Sequence, residues 1–257
     1  MASVFVTGST DGIGAEVARS LVRGGHRVVL HARNEERAEV ARTAVPGAAA
    51  VAVGDVASLR ETIALAEAAN GLGTYDAVVH NVGVGRTDAR TTTDDGLERI
   101  FQVNVLAPYV LTALMPMPAR LVYLSSGLQA QGVAVLDDLH FERREWQGFQ
   151  AYCDSKLYDV MLAFAVARLH TGVRSNAVNP GWVRTRMGGA GAPDDLADGA
   201  ATSVWLAVSD EPGATVTGRL LERGQTVPAN PAASDVALQD GLLRACAEMS
   251  GVELPAA

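Results

Sequence analysis

The chain is poor in the residues that would tie it to a membrane, a disulfide framework or a metal. Its longest apolar runs, Ala48–Val53 and Val160–Ala167, fall well short of the roughly 20 residues a membrane helix needs. A strand expected from Val4 leaves no space for a secretory leader. Two cysteines, Cys153 and Cys246, cannot form a disulfide scaffold and lack metal-ligand spacing, so a reducing, cytoplasmic setting is expected. The five histidines show no H-x-x-x-H pair or comparable metal spacing. Basic residues number 21 against 29 acidic ones, a net charge of −8, which argues against nucleic acid or an anionic membrane as partner. What remains is a chain with 48% apolar and 19% charged residues, enough for a large core and incompatible with wholesale disorder.

Lysine is nearly missing too. Of the 21 basic residues, 20 are arginine and one is Lys156. Compositional drift toward Arg accounts for that as well as a special role does, until the neighbourhood of Lys156 is considered. An ammonium is a compact charge whose pKa shifts readily, whereas a guanidinium is broad, planar and always charged.

Short β-rich runs alternate with helix-length segments. Strands are expected at Val4–Thr7, Val28–His31, Val51–Val53, Ala77–His80, Arg120–Leu124, Ser175–Asn179 and Arg219–Leu221. Helices are expected at about 13–24, 35–44, 58–70, 94–115, 152–169 and 195–208, with one more over Asp235–Met249 closed by Gly251. Asn34 reads as an N-cap, with Glu35 and Glu36 in the first turn behind it. This alternation predicts a single α/β domain, a Rossmann-type, doubly wound parallel sheet of about seven strands with helices on both faces. Irregular segments are expected at 127–150 and 186–194.

Directly after the first strand comes Thr7-Gly8-Ser9-Thr10-Asp11-Gly12-Ile13-Gly14, which opens a helix. Glycines there permit a tight turn and close backbone approach to a pyrophosphate, whose charge meets the helix N-terminus. With 26 glycines in the chain, the trio alone is weak; its place between first strand and first helix makes it strong. An acidic residue at the end of the second strand would bind the ribose 2′-hydroxyl of NAD(H). That place holds Arg33, 19 residues after Gly14, a planar cation suited to the 2′-phosphate of NADP(H). Asp55, in Gly54-Asp55-Val56, is either an adenine contact or a strand-end turn residue.

Tyr152 and Lys156 stand at i and i+4, on one face of an expected helix. A free tyrosine hydroxyl has a pKa of about 10. A nearby ammonium favours the phenolate and brings the group closer to working pH. Elsewhere this pair would be an ordinary surface feature; here the lysine is unique and the chain already carries a dinucleotide turn.

With these motifs the chain resembles the short-chain dehydrogenase/reductase family almost end to end. Thr7–Gly14 matches T-G-x-x-x-G-x-G and Tyr152–Lys156 matches Y-x-x-x-K. Asn81-Val82-Gly83 is similar to N-A-G, Asn104 to the family's helix asparagine, and Ser126 to its catalytic serine. Asn179-Pro180-Gly181 with Thr185 resembles the segment covering the nicotinamide. The resemblance implies that Tyr152 exchanges the proton with the substrate oxygen and that Ser126 hydrogen-bonds that oxygen. It implies that Lys156 binds the nicotinamide ribose and that Asn104 holds a relay water. Pro180, Gly181, Val183 and Thr185 would fix the carboxamide. It also implies a small-molecule carbonyl or alcohol substrate and a possible homo-oligomer paired through helices around 94–115 and 152–169.

Two departures stand out. His80 and Val82 alter N-N-A-G. Ser126 and Tyr152 are 26 residues apart, about twice the family's usual separation, which resembles the retinol dehydrogenase and carbonyl reductase branch and suggests an apolar substrate. Phe141, Trp146 and Phe149 in the extra stretch either line a substrate entrance or form its own small core. The expected function is NADP(H)-dependent reduction of an aldehyde or ketone, with an NAD(H)-linked alcohol dehydrogenase or a non-catalytic cofactor sensor as alternatives.

Overall fold

The computed structural model describes residues 1–256. Its eight strands form one sheet in the order β3-β2-β1-β4-β5-β6-β7-β8. These are β1 (Ser3–Val6), β2 (Arg27–Ala32), β3 (Ala50–Val53), β4 (Ala77–His80), β5 (Arg120–Leu124), β6 (Arg174–Asn179), β7 (Leu220–Glu222) and β8 (Gln225–Val227). The first seven run parallel. The eighth, not expected from the sequence, turns back antiparallel through Arg223-Gly224. Three residues give too short a pattern to read, and tertiary pairing against β7 makes them a strand.

Period-two alternation sends Val4 and Val6 to one face of the sheet and Phe5 to the other, and each face has its own core. One core is covered by α1 (Gly12–Arg23), α2 (Glu35–Ala44) and α7 (Leu196–Val208). The other lies under α3 (Leu59–Gly71), α5 (Ala107–Leu114) and α6 (Gly148–Leu169). Asn34 caps α2 as expected, accepting from Arg37 N–H at 2.9 Å. Outside α5 and α6 lies α8 (Val236–Ser250), ended by Gly251 in the left-handed region at φ +68°. It buries Leu242 and Cys246 and is tied down by Arg168 bonding to Gln239 and Asp240. Tyr109 secures the following tail through its bond to Val252 O at 2.9 Å.

The expected helix over 94–115 is not continuous. A short α4 (Arg99–Phe101) leads into a π-helical turn at Gln102–Leu106 before α5. The start moves to Arg99 because the Glu98 carboxylate caps the backbone N–H groups of Ile100 and Phe101. The π turn contains Asn104, and such bulges are frequent where a helix must aim a functional side chain.

The extra stretch between β5 and α6 is built around Asp138. Its carboxylate accepts from the backbone N–H groups of Glu142, Arg143 and Arg144 at 2.8–3.2 Å, and from the Arg144 guanidinium at 3.1 Å. Although burial opposes ionisation, these donors pull the Asp138 pKa down to about 2. Phe141 is buried and packs edge-on against Trp146 at 5.3 Å, and the two join Ile100 of α4 and Ala151 of α6 in a small core separate from the main ones. Phe149 is exposed and lines a cavity.

Candidate active site

The strand order reverses direction at β1, which sits between β2 and β4. In an open α/β sheet, ligands bind beyond the strand ends at such a point. A cleft of about 410 Å³ lies there, lined by Gly8, Gly12, Gly14, Arg33, Asn81, Tyr152 and Lys156 among others. Beside it, and sharing Tyr152 and Thr185, is a cavity of about 650 Å³ lined by Ser126, Phe149, Trp182 and Met187.

The glycine turn fits a pyrophosphate cradle. Gly8 and Gly12 hold φ of +62° and +56°, values a side chain disfavours. A Cβ on Gly14 would come within 2.3 Å of both Asn81 Nδ2 and Gly8 O. Asn81 is therefore a strut, donating to Thr7 O at 2.9 Å and Gly8 O at 3.0 Å. His31 holds the turn from the other side, accepting Gly8 N–H at Nδ1 at 3.0 Å while Nε2 reaches Gly54 O at 2.8 Å. Burial pushes its pKa down, which suits the neutral tautomer that both bonds require. His31 has no recognisable spacing, so its strut role was invisible in the sequence.

Thr10, Asp11, Ile13, Asp55, Val56, Val82 and Gly83 all line the cleft. Ser9 does not: it is buried, and its hydroxyl accepts His31 N–H at 2.9 Å. Asp55 spends Oδ1 on Ala57 N–H at 2.9 Å while still facing the cleft. Arg33 stands exposed at one end. Next to it is a residue the sequence reading passed over, Arg37, whose guanidinium donates to Thr10 Oγ1 at 2.9 Å and Asp11 Oδ2 at 2.6 Å. It stands one helical turn after Asn34, and that spacing from Arg33 was the available signal.

At the far end, Tyr152 lies in the second turn of α6 and Lys156 one turn on. The ammonium is 5.8 Å from the Tyr152 ring centroid. It donates to Leu124 O at 2.9 Å and to Asp159 Oδ2 at 2.7 Å. Burial alone would lower the Lys156 pKa, but the charges of Asp159 and Tyr152 hold it above its ordinary value. Ser125 secures the same helix by donating to Lys156 O at 2.7 Å. Ser126 and Tyr152 both face the larger cavity, where the Tyr152 hydroxyl contacts Met187 Sδ at 3.8 Å.

Asn104 is buried, and its amide is committed to the framework. It donates to Val84 O at 3.1 Å and Ser155 Oγ at 3.0 Å and accepts Val84 N–H at 2.8 Å. Within that side chain, only the second lone pair of Oδ1 is left for a relay water. That oxygen and Lys156 Nζ converge beside Gly83, at 3.4 and 3.6 Å from where its Cβ would stand. Pro180 and Thr185 border both cavities, whereas Gly181 and Val183 border only the larger one.

The family model for short chain dehydrogenases matches residues 2–195. The chain is a short-chain dehydrogenase/reductase. Short-chain dehydrogenase chyC of Penicillium rubens is 42% identical over 259 residues, covering 100% of both chains. Human retinol dehydrogenase 13 is 33% identical over 203 residues, 72% of this chain and 60% of that one. Among solved structures, a Mycobacterium paratuberculosis protein aligns with a TM-score of 0.86 at 26% identity, over 99% of this chain and 95% of that one. An actinorhodin polyketide ketoreductase variant crystallised with NADPH aligns at 0.66 and 26% identity, over 86% and 94%. As a member of this family the protein is an oxidoreductase that binds a nicotinamide dinucleotide, and the cleft fits one. No helix among the described residues is long and apolar enough to cross a membrane.

Proposed function

We propose that this short-chain dehydrogenase/reductase is an NADP(H)-dependent carbonyl reductase acting on an apolar aldehyde or ketone. The observation that carries the reading is one continuous cleft with Arg33 and Arg37 at one end and Tyr152 and Lys156 at the other. No carboxylate occupies His31 to Asn34, and two guanidiniums suit a phosphate better than a hydroxyl.

NADPH, when bound, supplies hydride to the carbonyl carbon. The protein's part is to position and to move protons. Ser126 donates a hydrogen bond to the substrate oxygen, and the Tyr152 hydroxyl gives it a proton. Lys156 stabilises the phenolate left behind, and a water between Lys156 and Asn104 Oδ1 returns the proton. Thr185 and the backbone from Pro180 to Val183 orient the carboxamide. Phe149, Trp182 and Met187 give the larger cavity an apolar rim, which supports an apolar substrate. Reduced, buried Cys153 and Cys246 support a cytoplasmic setting. The face through which family members pair, on α5 and α6, is covered by α8 of the same chain, which supports a single working subunit.

Purified protein with NADPH, screened against aromatic, isoprenoid, steroid and polyketide carbonyls by nicotinamide absorbance, tests the activity. Turnover is expected with NADPH in preference to NADH, and Arg33→Asp is expected to reverse that preference. Unchanged cofactor preference in that variant would favour the NAD(H)-linked alternative.

A further inference from the structure

Asp159 lies one turn beyond Lys156 on α6, and the side chains of the pair are only 4% and 6% exposed. Asp159 belongs to none of the motifs in the sequence. Yet its carboxylate is 2.7 Å from the one lysine of the chain. An ammonium has three N–H donors. Leu124 O takes one and Asp159 a second, which seats the cation against the end of β5 and leaves one donor. The ammonium is 5.8 Å from the Tyr152 ring, so the phenol meets an ion pair, and the two charges of a pair act on a third in opposite directions.

We propose, resting on the Tyr152 and Lys156 roles above, that Asp159 is a positioning residue. It holds the Lys156 ammonium in place and, through its charge, moderates the pull of that ammonium on the Tyr152 proton. An unopposed ammonium would draw the phenol toward phenolate; the pair leaves it more readily protonated, the form that donates to a carbonyl oxygen. The other titratable groups facing the pair are Tyr123 on β5 and, stacked behind it at 4.7 Å, His80 on β4. Burial pushes Tyr123 up and His80 down to about 3, so both are neutral at working pH and leave Asp159 to oppose Lys156. Burial pushes Asp159 up and the ammonium beside it pulls the other way; the 2.7 Å contact is that of a charged carboxylate on an ammonium.

The test reads the phenol directly, with neither substrate nor cofactor. Phenolate absorbance is titrated in the native protein and in Asp159→Asn, and the same titration of each with Tyr152→Phe added is subtracted to isolate Tyr152. Asparagine keeps the shape and one acceptor but removes the charge. The Tyr152 midpoint is expected to move to lower pH by about one unit, about a tenfold change in ionised fraction below the midpoint. A midpoint moved by less than about 0.2 unit, or moved upward, overturns the charge effect. Asp159→Ser, which leaves room for a water at the ammonium, is read in the same way if the asparagine variant does not fold. NADPH binding, followed by nicotinamide fluorescence, tests the seating. Asp159→Asn is expected within about threefold of native, and Asp159→Leu, which has no acceptor, at least about tenfold weaker. Native affinity in the leucine variant overturns the seating. A folded Tyr152→Phe protein that still reduces carbonyls would overturn the functional reading instead, whatever the Asp159 variants do.

Discussion

The two ends of the cleft are built on opposite electrostatic plans. At the Arg33 end the charges stand in or near water: Arg33 is exposed, and Arg37 is half-buried against an exposed Asp11. Such contacts are cheap to keep and easily exchanged, since ion pairs near solvent contribute little to stability. At the Tyr152 end the lysine and its carboxylate are sealed, and every polar atom of Asn104 is bonded. Groups there cannot rearrange without leaving a buried charge or amide unpaired, a costly event. The first arrangement suits exchange of a charged ligand, and the second suits holding groups still, as the proposed function requires.

The sharpest way to break this contrast is at the sealed end. Tyr152→Phe should reduce kcat by about 10² to 10⁴-fold while leaving NADPH affinity, read by fluorescence, nearly unchanged. Equal losses in both would mean that Tyr152 is part of the binding surface and not the proton donor.

Next in size is the exposed end. Replacing Arg33 and Arg37 together with Ala should weaken NADPH binding by about 10- to 100-fold, because charge-assisted bonds beside solvent are screened to a fraction of their buried strength. NADH binding should stay within about twofold. Isothermal titration with both cofactors distinguishes the cases, and parallel losses would refute the 2′-phosphate assignment.

Between the two ends lies the glycine turn. Gly14→Ala places a methyl 2.3 Å from Asn81 Nδ2 and Gly8 O; it should cost about 1–3 kcal/mol of stability by denaturant unfolding and weaken both cofactors alike. A variant as stable as native would show that the Asn81 strut yields.

The last effect concerns pH and is read on stability alone. His80 is buried and neutral, its pKa lowered by burial from 6.5 to about 3. The unfolded chain takes up a proton there below pH 6.5 and the folded chain does not, so the native state loses stability as pH falls from 6.5 toward 3. Thermal midpoints across that range should fall, and His80→Asn should flatten part of the slope. An equal slope in the variant would assign the acid sensitivity elsewhere.

Much of the fold was legible because alternating strand and helix patterns repeat over the whole length, and because turn and cap residues such as Gly8, Gly12, Asn34 and Gly251 announce backbone conformations locally. The motif residues around Gly14, Tyr152 and Lys156 were legible for the same reason, since each acts over one turn of chain. What escaped was β8, whose three residues are a strand only beside β7, and the π turn at Asn104, whose register depends on Val84 and Ser155 from distant segments. His31 and Asp159 escaped as well, since nothing in a linear pattern marks a histidine as a strut or a carboxylate as the partner of a buried lysine.

The amino-acid order alone therefore settled the class of fold, the place of the glycine turn and the pairing of Tyr152 with Lys156, all consequences of spacing along a strand or helix. Tertiary structure decided which charges are sealed from water and which face it. Burial and the effective dielectric around a group depend on segments far apart in sequence, as when Leu124 from β5 and Asp159 from α6 close around one ammonium.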